Sequence, residues 1–355
     1  MRAVLFAVAA VGLALAQQPR LTHAKLETRA VTAGLDREFQ SIVAGENGLA
    51  WVGYAQRAVP GDHQMCCYSS FEDAAGNRCC RGCALEGERA GVTISNAPGP
   101  VSLESPGYLF ILFRIEQHAV DRIRTFSADC ELDGGGLPIH WLTSVAPAES
   151  IAWLNRFATD TDASSDHRTS EPAIAAIALH ADPAADAALE KLVAQGQPDS
   201  VRERATFWLG NARGRRGFEV LRRLVTEDSS DRIREKAVFG LNVSKEPEAV
   251  TVMIQVAKTD RSTHVRGQAL FWLAHKAGEK AATAITEAIE NDPNTDVKKR
   301  AVFALQQLPP DEGVPLLIQV ARANKNPAVR KQAMFWLGQS NDPRAGRFFE
   351  EVLLR

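Results

Sequence analysis

From residue 131 to residue 355 the sequence has no cysteine; all six lie between Cys66 and Cys130. A disulfide framework is therefore excluded from the larger part of the chain and confined to one short region. No HExxH, no Gly-x-Ser-x-Gly and no Gly-rich phosphate loop is present. Their absence removes the zincins, the elbow-type hydrolases and the P-loop enzymes as explanations. Charge of one sign is also missing, with 41 basic against 43 acidic residues and a formal charge of −2. That balance gives no electrostatic argument for nucleic acid or an anionic membrane. Past the first 16 residues no stretch is apolar and long enough to span a bilayer. What is present is a 45% apolar chain of 355 residues, enough for about two globular domains.

The N-terminus carries one charge, Arg2, then the apolar run Ala3–Ala16, ending in Ala14-Leu15-Ala16 before the polar Gln17-Gln18-Pro19-Arg20. This reads as a signal peptide over 1–16, with an uncleaved anchor as the alternative. No membrane span is expected after cleavage. Export agrees with the clustered, even number of cysteines.

The strongest pattern is a period of 32 residues. Phe207, Phe239, Phe271, Phe303 and Phe335 are evenly spaced, with Ala two residues before each and Leu two after. Five residues before them stand Arg202, Arg234, Arg266, Lys298 and Arg330. A fixed period of this size marks stacked supersecondary units. Each unit reads as two helices, and counting back to Ala173 and Ile177 gives six units from 170 to 355. Asp199, Asp231, Thr263 and Thr295 are read as N-caps, with Asn326 displaced by one in the last unit. Second helices are expected to carry core columns through Leu189, Leu221, Met253, Ile285, Leu317 and Phe349, and through Leu192, Leu224, Val256, Ala288, Val320 and Val352. The Phe column is expected to be buried between units. The basic column is expected to bridge turns holding Asp228, Asp260, Asp292 and Asn324.

Residues 17–158 read as a cysteine-containing α+β domain. A strand is expected at 24–31, a helix from Leu35, a strand at 49–59 and a hairpin of 108–116 with 120–126. Asp133-Gly134-Gly135-Gly136 is a turn, and Pro147 opens a short helix. Residues 159–169 are Asp-, Ser- and Thr-rich and read as a linker. Cys66, Cys67, Cys79, Cys80, Cys83 and Cys130 read as three disulfides, whose pairing the spacing leaves open. Cys80-x-x-Cys83, with Cys66-Cys67 and His63 nearby, leaves a zinc site or a redox-active pair as alternatives.

Val201-Arg202-x-x-Ala205-x-Phe207-Trp208-Leu209-Gly210 and its four copies resemble HEAT-like repeats of the bilin-lyase type. The fold implied is an α-solenoid of six two-helix repeats over 170–355, preceded by a small disulfide-pinned α+β domain. The cysteine region resembles a segment of exported bacterial HEAT-repeat proteins, implying a periplasmic or extracellular location. Di-iron hydroxylases built on such repeats use His-Glu pairs, and this sequence has no His-Glu dipeptide.

In this architecture second helices are expected to line the ligand-binding face. Their polar column, Lys191, Arg223, Gln255, Glu287 and Gln319 with Arg222 beside it, varies from unit to unit, so packing does not fix it. These six are the expected partner-binding residues. The reading is an exported, non-enzymatic scaffold that binds a protein or peptide, with no catalytic residue, metal, cofactor or nucleic acid. The alternative is a ligand-holding lyase- or hydroxylase-like protein on the same repeats. The cysteine pattern yields a direct test. Thiol titration in denaturant should find no free thiol before reduction and six after it; four or more free thiols with bound zinc would decide for the metal.

Overall fold

The computed structural model describes residues 18–61, 83–86, 107–128, 130–160, 166–276 and 278–354. The segment 1–16, residues 161–165 within 159–169, and Cys66, Cys67, Cys79 and Cys80 lie outside those residues. The chain forms two compact units, Met1–Ala205 and Thr206–Arg355.

In the first unit the elements are, in chain order, β1 (Arg20–Thr22), β2 (Lys25–Ala30), α1 (Leu35–Gly45), β3 (Ala50–Arg57), β4 (Cys83–Ala84), β5 (Tyr108–Glu116), β6 (Ala119–Ser127), β7 (Glu131–Asp133), β8 (Pro138–Thr143), α2 (Pro147–Ala158), α3 (Glu171–Leu179) and α4 (Ala184–Leu192). The expected strands, hairpin and helices are all found. A mixed sheet has the order β2-β8-β3-β5-β6, parallel between β2, β8 and β3 and antiparallel beyond. At β3 both faces are covered, so its alternate residues enter different cores. Trp51 packs with Phe110, Leu132 and Trp141. On the opposite face Tyr54 lies against Phe113, which meets Phe39 of α1 edge-on at 5.0 Å. Gly53 is required between them: a Cβ there would come within 2.9 Å of the Trp141 ring.

Residues 83–86 are clamped to the sheet. Trp51 and Arg114 donate to the Glu86 carboxylate at 2.8 and 2.9 Å, and Arg124 donates to the carbonyls of Ala84 and Leu85. Burial lowers the Arg124 guanidinium to about 10, which leaves it cationic at neutral pH. β4 places the backbone of Cys83 opposite Leu132, and Cys130 is buried in the adjoining core.

The first helical pair grows out of this domain. Val59 N–H donates to the Leu179 carbonyl and Ala181 N–H to that of Arg57. Beneath them a buried chain links β3, α2 and the end of α3. His180 Nδ1 lies 2.6 Å from the Ala176 carbonyl, so it carries the proton and Nε2 accepts. Ser150 then donates to Nε2 at 2.9 Å, and the Tyr54 phenol donates to Ser150 at 2.9 Å. Burial pushes the Tyr54 phenol well above its usual value, which keeps it a donor.

The second unit starts within α5 (Asp199–Ala212) and holds α6 (Gly214–Glu227), α7 (Asp231–Val243), α8 (Ala249–Thr259), α9 (Thr263–Lys276), α10 (Gly278–Asn291), α11 (Thr295–Gln306), α12 (Pro310–Ala323), α13 (Pro327–Gly338) and α14 (Pro343–Leu353). With α3–α4 these make six helical pairs among the described residues, an α-solenoid as the period implies. The cap column sits one residue earlier than expected. Ser230, Asn294 and Asn326 accept the free N–H groups of the first turn. Asn326 is therefore in register rather than displaced, and Asp231 and Thr295 begin their helices. Asp and Thr are read as caps because their oxygens compete for the same N–H groups, but here the neighbour has the extended backbone a cap needs.

The turns between pairs are built around the basic column. Arg234, buried in α7, donates to both oxygens of Asp260 at 2.8 and 3.0 Å and to the Asp228 carbonyl at 3.0 Å. Thus one guanidinium spans two successive turns. Arg266 repeats this with Asp292, at 2.8 and 3.1 Å, and with the Asp260 carbonyl at 2.8 Å. Each carboxylate also accepts a turn N–H two residues on, as in Ser262 to Asp260 at 2.7 Å. In the next turn Asn324 replaces the aspartate, and there the base is Lys298, bonded to the carbonyls of Ile289 and Glu290.

First helices approach closely where side chains are small. A Cβ on Gly210 would stand 2.2 Å from the Gly240 carbonyl oxygen. The Phe column differs from expectation. Its rings do connect units, but from the surface, half-buried. Phe207 stacks on Phe239 at 5.9 Å and Phe271 on Phe303 at 5.8 Å, with interplanar angles of 15° and 9°. Trp272 closes the gap to Phe239 at 4.8 Å, and Trp336 the gap to Phe303 at 5.0 Å. The residue after each Phe alternates large and small: Trp208, Gly240, Trp272, Ala304, Trp336. The true repeat of this aromatic ladder is therefore two units, because the ladder needs one Trp for each pair of Phe.

Arg234→Ala leaves Asp260 buried without its countercharge. It should lower unfolding free energy by about 3–5 kcal/mol. Urea denaturation checks this, and a change below about 1 kcal/mol would mean water compensates the carboxylate.

Candidate functional site

Second helices expose their variable column. Lys191, in the first unit, and Arg222, Arg223, Gln255, Glu287 and Gln319, in the second, are all exposed. Two of them share a groove. Arg222 and Gln255 line a cavity of about 670 Å³ between α6 and α8, with Thr226, Thr251, Lys258 and Arg261. Arg223 and Gln319 are not among its lining residues, and Glu287 meets it only through Lys258 at 2.5 Å.

The groove follows from the turn architecture. Its end wall is the Arg234–Asp260 pair, which cancels its own charge. The Asp231 carboxylate beside Arg234 is held below the usual range by the Ser262 hydroxyl and then by that guanidinium. Arg261 donates to the Asp228 and Ser229 carbonyls, so it is anchored while remaining cationic. Thr226 and Thr259 spend their hydroxyl protons on their own helices, at 2.9 Å to the Arg222 and Gln255 carbonyls. Arg222 has no hydrogen-bond or ion-pair partner for its guanidinium among the described residues. What the groove offers is one unengaged cation, two engaged ones and a wall of threonines. Such a lining suits carboxylates on a flexible segment rather than bond-making chemistry. Arg261 was missed by sequence reasoning because it lies in a turn rather than on the second helix, and its column, Ser229, Arg261, Pro293 and Lys325, carries no constant charge.

Among the described residues no group of three His, Cys, Asp or Glu side chains is placed to hold a metal ion, and no helix is long and apolar enough to cross a membrane. Of the cysteines, Cys130 is buried and the backbone of Cys83 lies in β4.

A family model described as HEAT repeats matches residues 187–274 and 282–355. No curated protein sequence matches the chain. Solved structures similar to it include human deoxyhypusine hydroxylase, at 15% identity and TM-score 0.31, covering 59% of this chain and 80% of that one. The complex of CpcE and CpcF of phycocyanin lyase from Nostoc is similar at 20% identity and TM-score 0.31, covering 55% and 77%. A structure of Kap95p with RanGDP is similar at 17% identity and TM-score 0.38, covering 55% and 30%.

Proposed function

On the premise that this chain is a HEAT-repeat protein, we propose that it is an exported, non-enzymatic scaffold whose second-helix groove holds an acidic segment of a protein or peptide. The observation that carries this reading is the unengaged guanidinium of Arg222 in a groove already walled by Lys258 and Arg261. Coulombic attraction of this kind speeds encounter and fixes register more than it adds raw affinity. It is screened by salt. Export to the periplasm or beyond is supported by the apolar segment at 3–16 and by cysteines confined to one domain. A disulfide framework there is supported by the burial of Cys130 beside β4 and β7. The framework would fix the cysteine region to the sheet that Arg114 and Arg124 already grip.

The test is capture from a native envelope fraction by the immobilised chain, compared with a variant carrying Arg222→Glu and Arg223→Glu. Both side chains are exposed, so the unfolding midpoint should stay nearly unchanged while capture falls and loses its salt dependence. Unaltered capture would remove the groove from the reading. Stoichiometric iron or a bilin-like absorption band in the purified protein would favour the lyase- or hydroxylase-like alternative.

A further inference from the structure

The aromatic ladder on the first helices is a second feature, independent of the groove. Packing alone does not call for it. The columns that close the core, Ala205 to Ala333 and Leu209 to Leu337, are already buried, and the Phe rings lie outside them. A half-buried ring gains only part of its transfer free energy. Phe335 is 54% exposed at the last rung. Phe271 and Phe303 lie nearly parallel at 5.8 Å, so each covers part of the other's face. Ring edges carry the positive end of the aromatic quadrupole and attract anionic oxygens.

Charge on the same face agrees. Residues three and four before each Phe share its side of the helix. For the last two rungs these positions hold Lys299, Arg300 and Lys331, with no acid among them. Arg300 and Lys331 are exposed. Arg300 is seated deliberately: the preceding unit has Gly267 at the facing position, and a Cβ there would stand 2.3 Å from the Arg300 Cδ. Its stem crosses that gap between adjacent first helices.

We infer that the ladder from Phe271 to Phe335 is a docking strip for an acidic segment carrying aromatic side chains, its rings adding to the stack and its carboxylates meeting Arg300 and Lys331. The strip lies on first helices, so it stands or falls separately from the second-helix groove.

The probe is a fluorescein-labelled 14-residue peptide rich in Glu and carrying three Phe, titrated into the full chain at low salt by fluorescence polarisation. Two control peptides replace every Glu by Lys, or every Phe by Ser. The acidic Phe peptide should bind, and binding should weaken at least tenfold in Phe335→Ser and in the double variant Arg300→Glu, Lys331→Glu. Both controls should bind at least tenfold more weakly, and Arg222→Glu in the groove should leave binding unchanged. Should Phe335→Ser fail to fold by circular dichroism, the exposed charge pair decides alone. Absence of binding, equal binding of either control, or loss in Arg222→Glu with the ladder variants intact would overturn the inference.

Discussion

The helical array depends on a buried cation bonded across two consecutive turns. Arg234 and Arg266 each reach back to a carbonyl of one turn and forward to the carboxylate of the next. Taking a guanidinium and a carboxylate out of water is expensive, and the pair is tolerated because nearly every donor and acceptor is used. The geometry is bidentate, so it fixes angle as well as distance. That makes each unit's placement a consequence of the one before it. Where the chain substitutes Lys298, which cannot form the fork, the following turn has Asn324 and there is no stranded carboxylate.

Turn placement in turn sets how the helices meet. First helices come close enough for Gly210 to touch the backbone at Gly240, while second helices leave the groove between α6 and α8. One row of helices thus yields a packed aromatic strip and the other an open polar channel. Both surfaces are by-products of the same turn geometry, and both are dressed with side chains that the packing does not dictate.

The period of 32 made the array legible, since identical packing needs recur at identical spacing. The basic column was legible for the same reason: an Arg beside a cap, with Asp in the flanking turns, has few other uses. The Phe column misled because regularity was equated with burial. A residue can recur because its neighbour in the next unit is the same residue, and Phe207 on Phe239 is such a case. The two-unit period of Trp208, Gly240, Trp272, Ala304 and Trp336 was in plain view but hidden by the shorter one. In the first domain β8 went unread. It is short, begins with Pro138 and sits between two parallel partners whose identity only the fold reveals. The Glu86–Arg114–Trp51 clamp joins residues far apart in sequence and leaves no local pattern.

A double-mutant cycle at the other fork tests the central claim most directly. Arg266→Ala, Asp292→Ala and the combined variant are compared by urea unfolding of the full chain. If the fork between turns holds the array together, the coupling energy is about 2–3 kcal/mol, and the double variant is no less stable than Arg266→Ala alone. A coupling below about 0.5 kcal/mol would contradict the account and assign the array's cohesion to apolar packing.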